Sequence, residues 1–164
     1  MDRIWSPWRM AYIQAAKEQG DDDGCIFCDL PAEGDDERTK ILVRGEHAFV
    51  ILNSFPYNPG HLMVAPFRHI GDFGAIEPAE FAEVDVLLTR SIRALEAEME
   101  PQGFNLGMNL GRVAGAGIPG HLHWHVVPRW NGDTNFMPVV GQTRVLPELL
   151  DETYARLLPR FEGA

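Results

Sequence analysis

Three of the six histidines stand at every second position of the segment GHLHWHVVPRWNGD, residues 120–133. Residues two apart share one face of a strand, but on a helix they point about 200° apart. A strand is therefore the element that gathers the three imidazoles, with the intervening apolar side chains packed into a core behind them and Pro128 predicted to end the strand. The histidines are His121, His123 and His125, and the apolar residues are Leu122, Trp124 and Val126.

Imidazoles on one face of a strand are suited to nucleophilic chemistry. Neutral imidazole is a good nucleophile near pH 7, and its phosphoryl adduct is labile, so attack at phosphorus divides one transfer into two easier displacements. A hydrogen bond to the other ring nitrogen is then required to select the tautomer. Two alternatives stay open: a catalytic metal site of the His-x-His kind, and a histidine stripe on a surface edge strand.

The segment before the triad favours phosphate as the target. GRVAGAGIPG, residues 111–120, holds four glycines, so its backbone can turn sharply and aim several N–H groups at one anion. Alone, such a segment is equally typical of a flexible connection between strands. Directly before the histidines, it predicts a donor-rich loop beside a nucleophile.

Cys25 and Cys28 form a second group with possible chemistry. Two thiolates at this spacing can bind one face of a tetrahedral zinc ion, and two further ligands must then come from elsewhere in the chain. The pair is too close in sequence to cross-link a domain, and a cytosolic chain keeps it reduced. Metal binding is favoured over a redox pair or two core thiols.

Apolar periodicity predicts the elements that position these residues, and their mixture indicates an α+β fold. Three strands form an antiparallel meander, a long helix begins at Pro78 and ends before Pro101, and an alternating strand follows it. The predicted helices cover residues 8–19, 78–100 and Pro147 to Leu158, and the predicted strands cover 41–44, 48–52, 62–65 and Phe104 to Leu110.

Composition limits the class of protein. A chain of 164 residues, 45% of them hydrophobic, suits a single domain over 1–164, with residues 1–40 forming an N-terminal helix and the cysteine segment packed on it. The absence of a long apolar run and of a secretory leader predicts a soluble, cytoplasmic protein that binds no membrane. A net charge of −10 disfavours a nucleic acid polymer as partner but permits a small anionic nucleotide.

The motifs together resemble the histidine triad family of nucleotide hydrolases and transferases. HLHWHVV is similar to the family's His-x-His-x-His-x-x signature, and AFVILNSFPYNPGHLMVAPFRH resembles its strand–loop–strand segment. WSPWRM, CIFC and VVPRWNGDTNFMPV resemble the bacterial branch of diadenosine tetraphosphate phosphorylases and ATP adenylyltransferases. The resemblance implies an antiparallel sheet with one long helix and a C-terminal helix, paired across a homodimer, and no organic cofactor.

The resemblance also implies roles for particular residues. His123 matches the nucleophile that takes the nucleotidyl group at the α-phosphorus, and His125 matches a hydrogen-bond donor to the phosphate. Asn53 matches the asparagine that binds ribose, and Asn109 a residue close to the phosphate. His61 matches a histidine behind the triad, where a structural role is as consistent as a catalytic one.

One position departs from the family pattern. Many members have Gln, often followed by Ser, four residues before the first triad histidine, whereas Gly117 and Ile118 stand here. We expect the backbone amides of Ala116 and Gly117 to replace the missing side chain, since stabilisation of an oxyanion requires donors rather than particular residues. Arg68, Arg112, Arg129 and Trp130 are nearby but receive no role.

For the metal, the resemblance implies that His69 and His121 complete a structural zinc site with Cys25 and Cys28, with His47 as the alternative ligand. The predicted reaction is phosphorolysis of diadenosine tetraphosphate to ATP and ADP through a nucleotidyl-histidine. Hydrolysis of a dinucleoside polyphosphate or nucleoside phosphoramidate is the alternative enzymatic activity. A non-catalytic, zinc-containing nucleotide sensor is the alternative of another class.

Overall fold

The structure is a computed structural model that describes residues 24–133 and 148–162. The predicted helix over residues 8–19 and the first residue of the predicted C-terminal helix lie outside this range, and the single domain over 1–164 stays a prediction. The helices are α1 (Ile26–Ala32), α2 (Asp36–Thr39), α3 (Pro78–Met99) and α4 (Leu150–Glu162), and the strands are β1 (Ile41–Arg44), β2 (Ala48–Leu52), β3 (Leu62–Pro66), β4 (Gly103–Gly107) and β5 (Trp124–Arg129).

The five strands form one antiparallel sheet in the order β1-β2-β3-β5-β4. The predicted meander of the first three strands and the predicted α+β class are therefore confirmed. The chain leaves the sheet after β3, passes through α3, and returns as the edge strand β4 before β5 pairs with β3. This order places the histidine segment in the interior of the sheet.

Both faces of the sheet are covered, which explains why every residue of β2 and β3 is buried. On one face, side chains such as Val50, Val64 and Val126 pack with α3 and α4 in the larger core. On the other face, Phe49 and Met63 pack with Phe27 of α1 in a smaller core. Alternation along each strand therefore sorts its side chains between two environments.

The helix α3 anchors the first hairpin through Glu83. Its carboxylate accepts the backbone N–H groups of Glu46, His47 and Ala48, at 2.9, 2.5 and 2.8 Å. Burial opposes ionisation, yet these three donors hold the pKa of Glu83 below its ordinary value. The turn between β1 and β2 is thus held by a charged side chain from another element.

Several predicted boundaries are wrong. Pro128 does not end β5, which continues to Arg129; the missing N–H is tolerated because β3 pairs with β5 only as far as Val126. The strand β4 ends at Gly107 rather than Leu110, opposite His125. The helix α4 covers Leu150–Glu162 and continues through Pro159, because Phe161 extends its buried face.

None of the helices within the described residues is long and apolar enough to span a bilayer.

We expect Glu83→Gln to lower the free energy of unfolding by about 1–3 kcal/mol at pH 7, because an amide nitrogen would face N–H donors. Since the folded-state pKa of Glu83 is lowered, the stabilisation is present above the unfolded-state pKa and is lost as pH falls. Urea unfolding at pH 7 and pH 3 measures both effects. Glu96→Gln, an exposed glutamate of the same helix, is the control, and equal losses in the two variants at pH 7 would contradict the prediction.

Candidate active site and metal centre

The three triad histidines lie at the start of β5, but only His125 is within the strand. His121 and His123 belong to the extended segment before it, so the predicted strand begins too early. The strand begins later because the hydrogen-bonded pairing with β3 starts at Trp124. Before that residue, the Leu122 N–H donates to the carbonyl of Ile70 at 2.7 Å. The alternation is nevertheless as predicted, because Leu122, Trp124 and Val126 all pack into the larger core.

The backbone carbonyl of His121 fixes the tautomer of His123. Its Nδ1 lies 2.8 Å from the carbonyl oxygen of His121, which can only accept, so Nδ1 carries the proton. Nε2 therefore keeps the lone pair that a nucleophile requires. The ring of Phe27 stacks on this imidazole, with centroids 4.7 Å apart and planes at 29°. Burial lowers the pKa of His123, which keeps the imidazole neutral.

His61 fixes the opposite tautomer in His125. Nδ1 of His61 accepts the Tyr57 N–H at 3.1 Å, and the Asn53 side-chain amide lies 3.3 Å from the same nitrogen. The proton of His61 must then be on Nε2, which donates to Nδ1 of His125 at 3.0 Å. His125 consequently carries its proton on Nε2, as a hydrogen-bond donor.

His125 and His123 thus present complementary groups next to each other. Their rings meet edge to face, with centroids 5.0 Å apart. Burial, and to a smaller extent the proximity of His123, lowers the pKa of His125 to about 4. One imidazole offers a lone pair and its neighbour an N–H group, and both are uncharged at neutral pH.

The cysteines meet two histidines on the same face of the sheet. Nδ1 of His121 lies 3.3 Å from the Cys25 sulfur and 3.6 Å from the Cys28 sulfur, and Nδ1 of His69 lies 3.4 Å from the Cys28 sulfur. The four donor atoms are all within 4.8 Å of one another. In a tetrahedral zinc site with ordinary bond lengths, donor atoms are about 3.3–3.8 Å apart, and the three nitrogen–sulfur distances lie in this range.

The orientation of His121 also fits a metal ligand. Its Nε2–H donates to the carbonyl of Pro66 at 2.8 Å, which leaves the Nδ1 lone pair directed at the sulfurs. Burial, opposed by that hydrogen bond, lowers the pKa of His121 to about 4. Burial and the neighbouring Cys25 raise the pKa of Cys28 to about 11. A bound cation would lower this pKa again, because it stabilises the thiolate.

Gly71 permits the approach of the two histidine ligands. A Cβ at this position would lie 2.8 Å from the carbonyl oxygen of Pro119 and 3.0 Å from Cα of Gly120. The segment after His69 can therefore contact the segment before His121 backbone to backbone. His47, the alternative ligand, is not part of this cluster of four.

The remaining predicted residues lie in the loop after β2 and in the segment between β4 and β5. Asn53 uses its side-chain oxygen for the N–H of Phe55, at 2.9 Å, as well as contacting His61. In the glycine-rich loop, the Asn109 amide donates to the Gly115 carbonyl at 3.4 Å, and the Ala116 N–H donates to the Gly111 carbonyl at 3.2 Å. These two bonds close the loop upon itself, while Gly117 is half-buried.

Two of the arginines that the sequence analysis left without a role, Arg68 and Arg129, are paired with carboxylates. Arg68 binds Glu80 with both its Nε and Nη2, at 2.7 and 2.6 Å, and this pair lowers the pKa of Glu80 to about 2. Arg129 binds Asp133 in the same two-pronged way. Sequence reasoning missed these acidic partners, as it missed Phe27 and Tyr57, because none of them stands at a spacing that signals a contact.

Comparison with known proteins gives consistent results. The family profile described as HIT domain matches residues 35–132. The chain is 39% identical over 158 residues to a Mycobacterium tuberculosis protein named AP-4-A phosphorylase, covering 93% of this chain and 80% of that protein. It is 32% identical to an uncharacterized HIT-like protein of Mycoplasma genitalium, covering 84% of this chain and 94% of that one.

Solved structures share the fold. A Zn-bound histidine triad family protein from Mycobacterium smegmatis superposes with a TM-score of 0.68 at 25% identity, over 85% of this chain and 94% of that one. A HIT family protein from Bacillus anthracis superposes with a TM-score of 0.61 at 28% identity, over 79% and 86% of the two chains.

We expect NMR to find His125 neutral at pH 7 with its proton on Nε2. Its folded-state pKa of about 4 lies below the value of about 6.5 for an unfolded chain, so unfolding takes up a proton between these values. The contribution of His125 to stability is therefore present above pH 6.5 and is lost as pH falls towards 4. Through-bond ¹⁵N–¹H correlation spectra identify the tautomer, and urea unfolding between pH 4 and pH 7 measures the pH dependence of stability. His125→Gln is the control, because it removes the contribution of this imidazole. Titration of native His125 near pH 6.5 would contradict it.

Proposed function

The chain belongs to the HIT domain family, as a nucleotidyltransferase or hydrolase, and on that premise we propose that it converts diadenosine tetraphosphate and phosphate to ATP and ADP. The observation that carries the proposal is the tautomer of His123, whose Nδ1–H is bonded to a backbone carbonyl and whose Nε2 keeps its lone pair. The named AP-4-A phosphorylase relative supports the substrate class.

The reaction proceeds in two displacements. Nε2 of His123 attacks the α-phosphorus at one end of the substrate, the bond from that phosphorus to the bridging oxygen breaks, and ATP leaves. The Nδ1–H bond to the His121 carbonyl stabilises the positive charge that develops on the imidazole. A phosphate oxygen then attacks the adenylylated histidine, breaks the P–N bond and releases ADP, returning the lone pair to Nε2.

His125 acts as a donor in both displacements. Its Nε2–H is available because His61 occupies its Nδ1, so it donates to an oxygen of the reacting phosphate, where negative charge accumulates in the transition state. We assign Asn109 and the amides of Ala116 and Gly117 to the same phosphate, and Asn53 to the ribose, as the family resemblance implies. Closure of the loop upon itself supports Gly117 over Ala116 as the amide that contacts substrate.

We expect His123→Ala to reduce kcat by at least about a thousandfold while leaving the affinity for a non-cleavable analogue within about threefold, as is typical when a nucleophile is removed. Product analysis of the wild type with and without phosphate identifies the acceptor. ADP and ATP formed only with phosphate indicate a phosphorylase, whereas AMP and ATP indicate a hydrolase.

Acid-quenched wild type should carry an added nucleotidyl mass on the peptide with His123. Substantial turnover by His123→Ala, or a label on His125, would refute the assigned nucleophile. Binding without any turnover would instead indicate the nucleotide sensor.

We also propose that Cys25, Cys28, His69 and His121 hold one structural zinc ion per chain. A bound ion would cross-link α1 to the segment after β3, through His69, and to the segment before β5, through His121, and would take no part in the displacements. The Zn-bound relative from Mycobacterium smegmatis supports this choice of ion. Because all four protein ligands are present, the site needs no water to complete a tetrahedron.

Metal analysis of the purified protein should find one zinc per chain, and Cys25→Ser should lose it together with thermal stability, since the metal contributes folding free energy. Thr39→Ser, a buried conservative substitution outside the cluster, is the control. A folded protein that binds no zinc when zinc is supplied would overturn the assignment.

The homodimer is a further part of the proposal. The outer edge of β4 is paired with no strand among the described residues, and Leu106 on this strand is half exposed, so two copies can join edge to edge. Leu106→Glu should then shift the sedimentation coefficient to that of a monomer. Val86→Glu, at an exposed apolar residue of α3, should not, and a monomeric wild type would exclude the dimer. The cytoplasmic location stays a prediction.

A further inference from the structure

A polar cluster next to the triad is not used by the proposed reaction. At the end of β5, Asp133 is bound by Arg129 through two hydrogen bonds of 2.6 and 2.8 Å. The Trp130 N–H donates to the same carboxylate at 3.2 Å. The side chain of Asp133 is only 12% exposed, and these donors hold its pKa well below its usual range, the Arg129 guanidinium contributing most.

Asn58 connects this cluster to the loop between β2 and β3. Its side-chain amide donates to Asp133 at 2.8 Å and to the backbone carbonyl of Pro128 at 2.9 Å. Both hydrogens of one NH₂ group are therefore bound to atoms at the end of β5. The carbonyl of Pro128 is available because Pro128 lies beyond the residues of β5 that pair with β3.

The loop that Asn58 holds is the one that sets the tautomer of His61. The Asn58 carbonyl accepts the N–H of His61 at 3.1 Å, and the adjacent Tyr57 N–H donates to Nδ1 of the same histidine. Gly60 within this turn has φ of +75°, and a Cβ there would lie 2.7 Å from Sδ of Met99, so the turn is pressed against α3 as well. Contacts with the end of β5 and with α3 therefore fix the position of this turn.

We propose that Asn58 and Asp133 are positioning residues for His125, acting through His61. Asp133 fixes the amide of Asn58, Asn58 fixes the turn at Tyr57, and the Tyr57 N–H forces the proton of His61 onto Nε2. That proton occupies Nδ1 of His125 and leaves the Nε2–H of His125 to donate. The proposed reaction assigns neither residue a contact with the substrate.

The alternative is that the cluster only stabilises the end of the sheet. A structural role predicts loss of stability without a change in the imidazole tautomers. A positioning role predicts that the proton of His125 becomes distributed between Nδ1 and Nε2 once the turn at Tyr57 is released. The two roles therefore differ in a spectroscopic quantity that does not depend on turnover.

The experiment compares Asn58→Ala and Asp133→Asn with Asp36→Asn. Asp36 is a matched control because it binds Arg44 through three contacts of 2.7 to 3.1 Å, on the surface at the other edge of the sheet. Through-bond ¹⁵N–¹H spectra at pH 7 should show the single Nε2–H tautomer of His125 in the wild type and in Asp36→Asn. Asn58→Ala and Asp133→Asn should show a mixture.

The kinetic part rests on the proposed function. In Asn58→Ala and Asp133→Asn, kcat should fall about tenfold or more with KM within about threefold, because a donor displaced from the transition state affects the chemical step more than binding. An unchanged His125 tautomer in folded Asn58→Ala would overturn the proposal, and Asn58→Ser replaces that variant if it does not fold. If the wild type shows no turnover, the proposed function fails, and the tautomer measurement alone decides the positioning role.

Discussion

Each imidazole of the triad has one ring nitrogen bound to a fixed partner, and this constraint decides what the other nitrogen can do. A backbone carbonyl binds Nε2 of His121 and leaves Nδ1 for the sulfurs, whereas a backbone carbonyl binds Nδ1 of His123 and leaves Nε2 for attack. The Nε2–H of His61 binds Nδ1 of His125 and leaves the Nε2–H of His125 to donate. Three identical side chains in a row are thus prepared differently for the three roles proposed above, namely metal ligand, nucleophile and donor.

The sheet supplies those partners because the pairing of β3 with β5 includes His125 but not His121 or His123. If the ladder continued through His121, the carbonyl of Pro66 would be engaged with the backbone of the neighbouring strand. Instead, Leu122 bonds to Ile70, and Pro66 accepts a side-chain proton. The apolar residues between the histidines still anchor the segment in the larger core, so the irregular backbone is held in place without a regular ladder.

The sequence predicted the elements with strong periodicity, such as α3 and the meander, and the family resemblance predicted the four cysteine and histidine side chains that the structure brings together as a candidate metal site. It could not predict where β5 begins, since alternation of side chains continues whether or not the backbone forms ladder bonds. It also missed Glu83, which binds backbone N–H groups of the first hairpin, Tyr57, whose N–H donates to the His61 ring, and Asp133, which the side chains of Asn58 and Arg129 bind. Such contacts depend on how helices and loops meet, and local spacing contains no signal for them.

Burial of the imidazoles and pairing of the nearby arginines determine the charge of the site. Burial keeps His123 and His125 neutral, and the arginines at positions 68 and 129 are bound to Glu80 and Asp133. A substrate with several negative charges would then meet directed N–H groups at the triad, which suits a net charge of −10 that weakens long-range attraction. A neutral His123 keeps its lone pair at pH 7. A strongly positive pocket would bind the ground state of the substrate as well as its transition state, and such uniform binding does not raise kcat. The proposed catalytic power therefore depends on orientation of uncharged groups more than on accumulated charge.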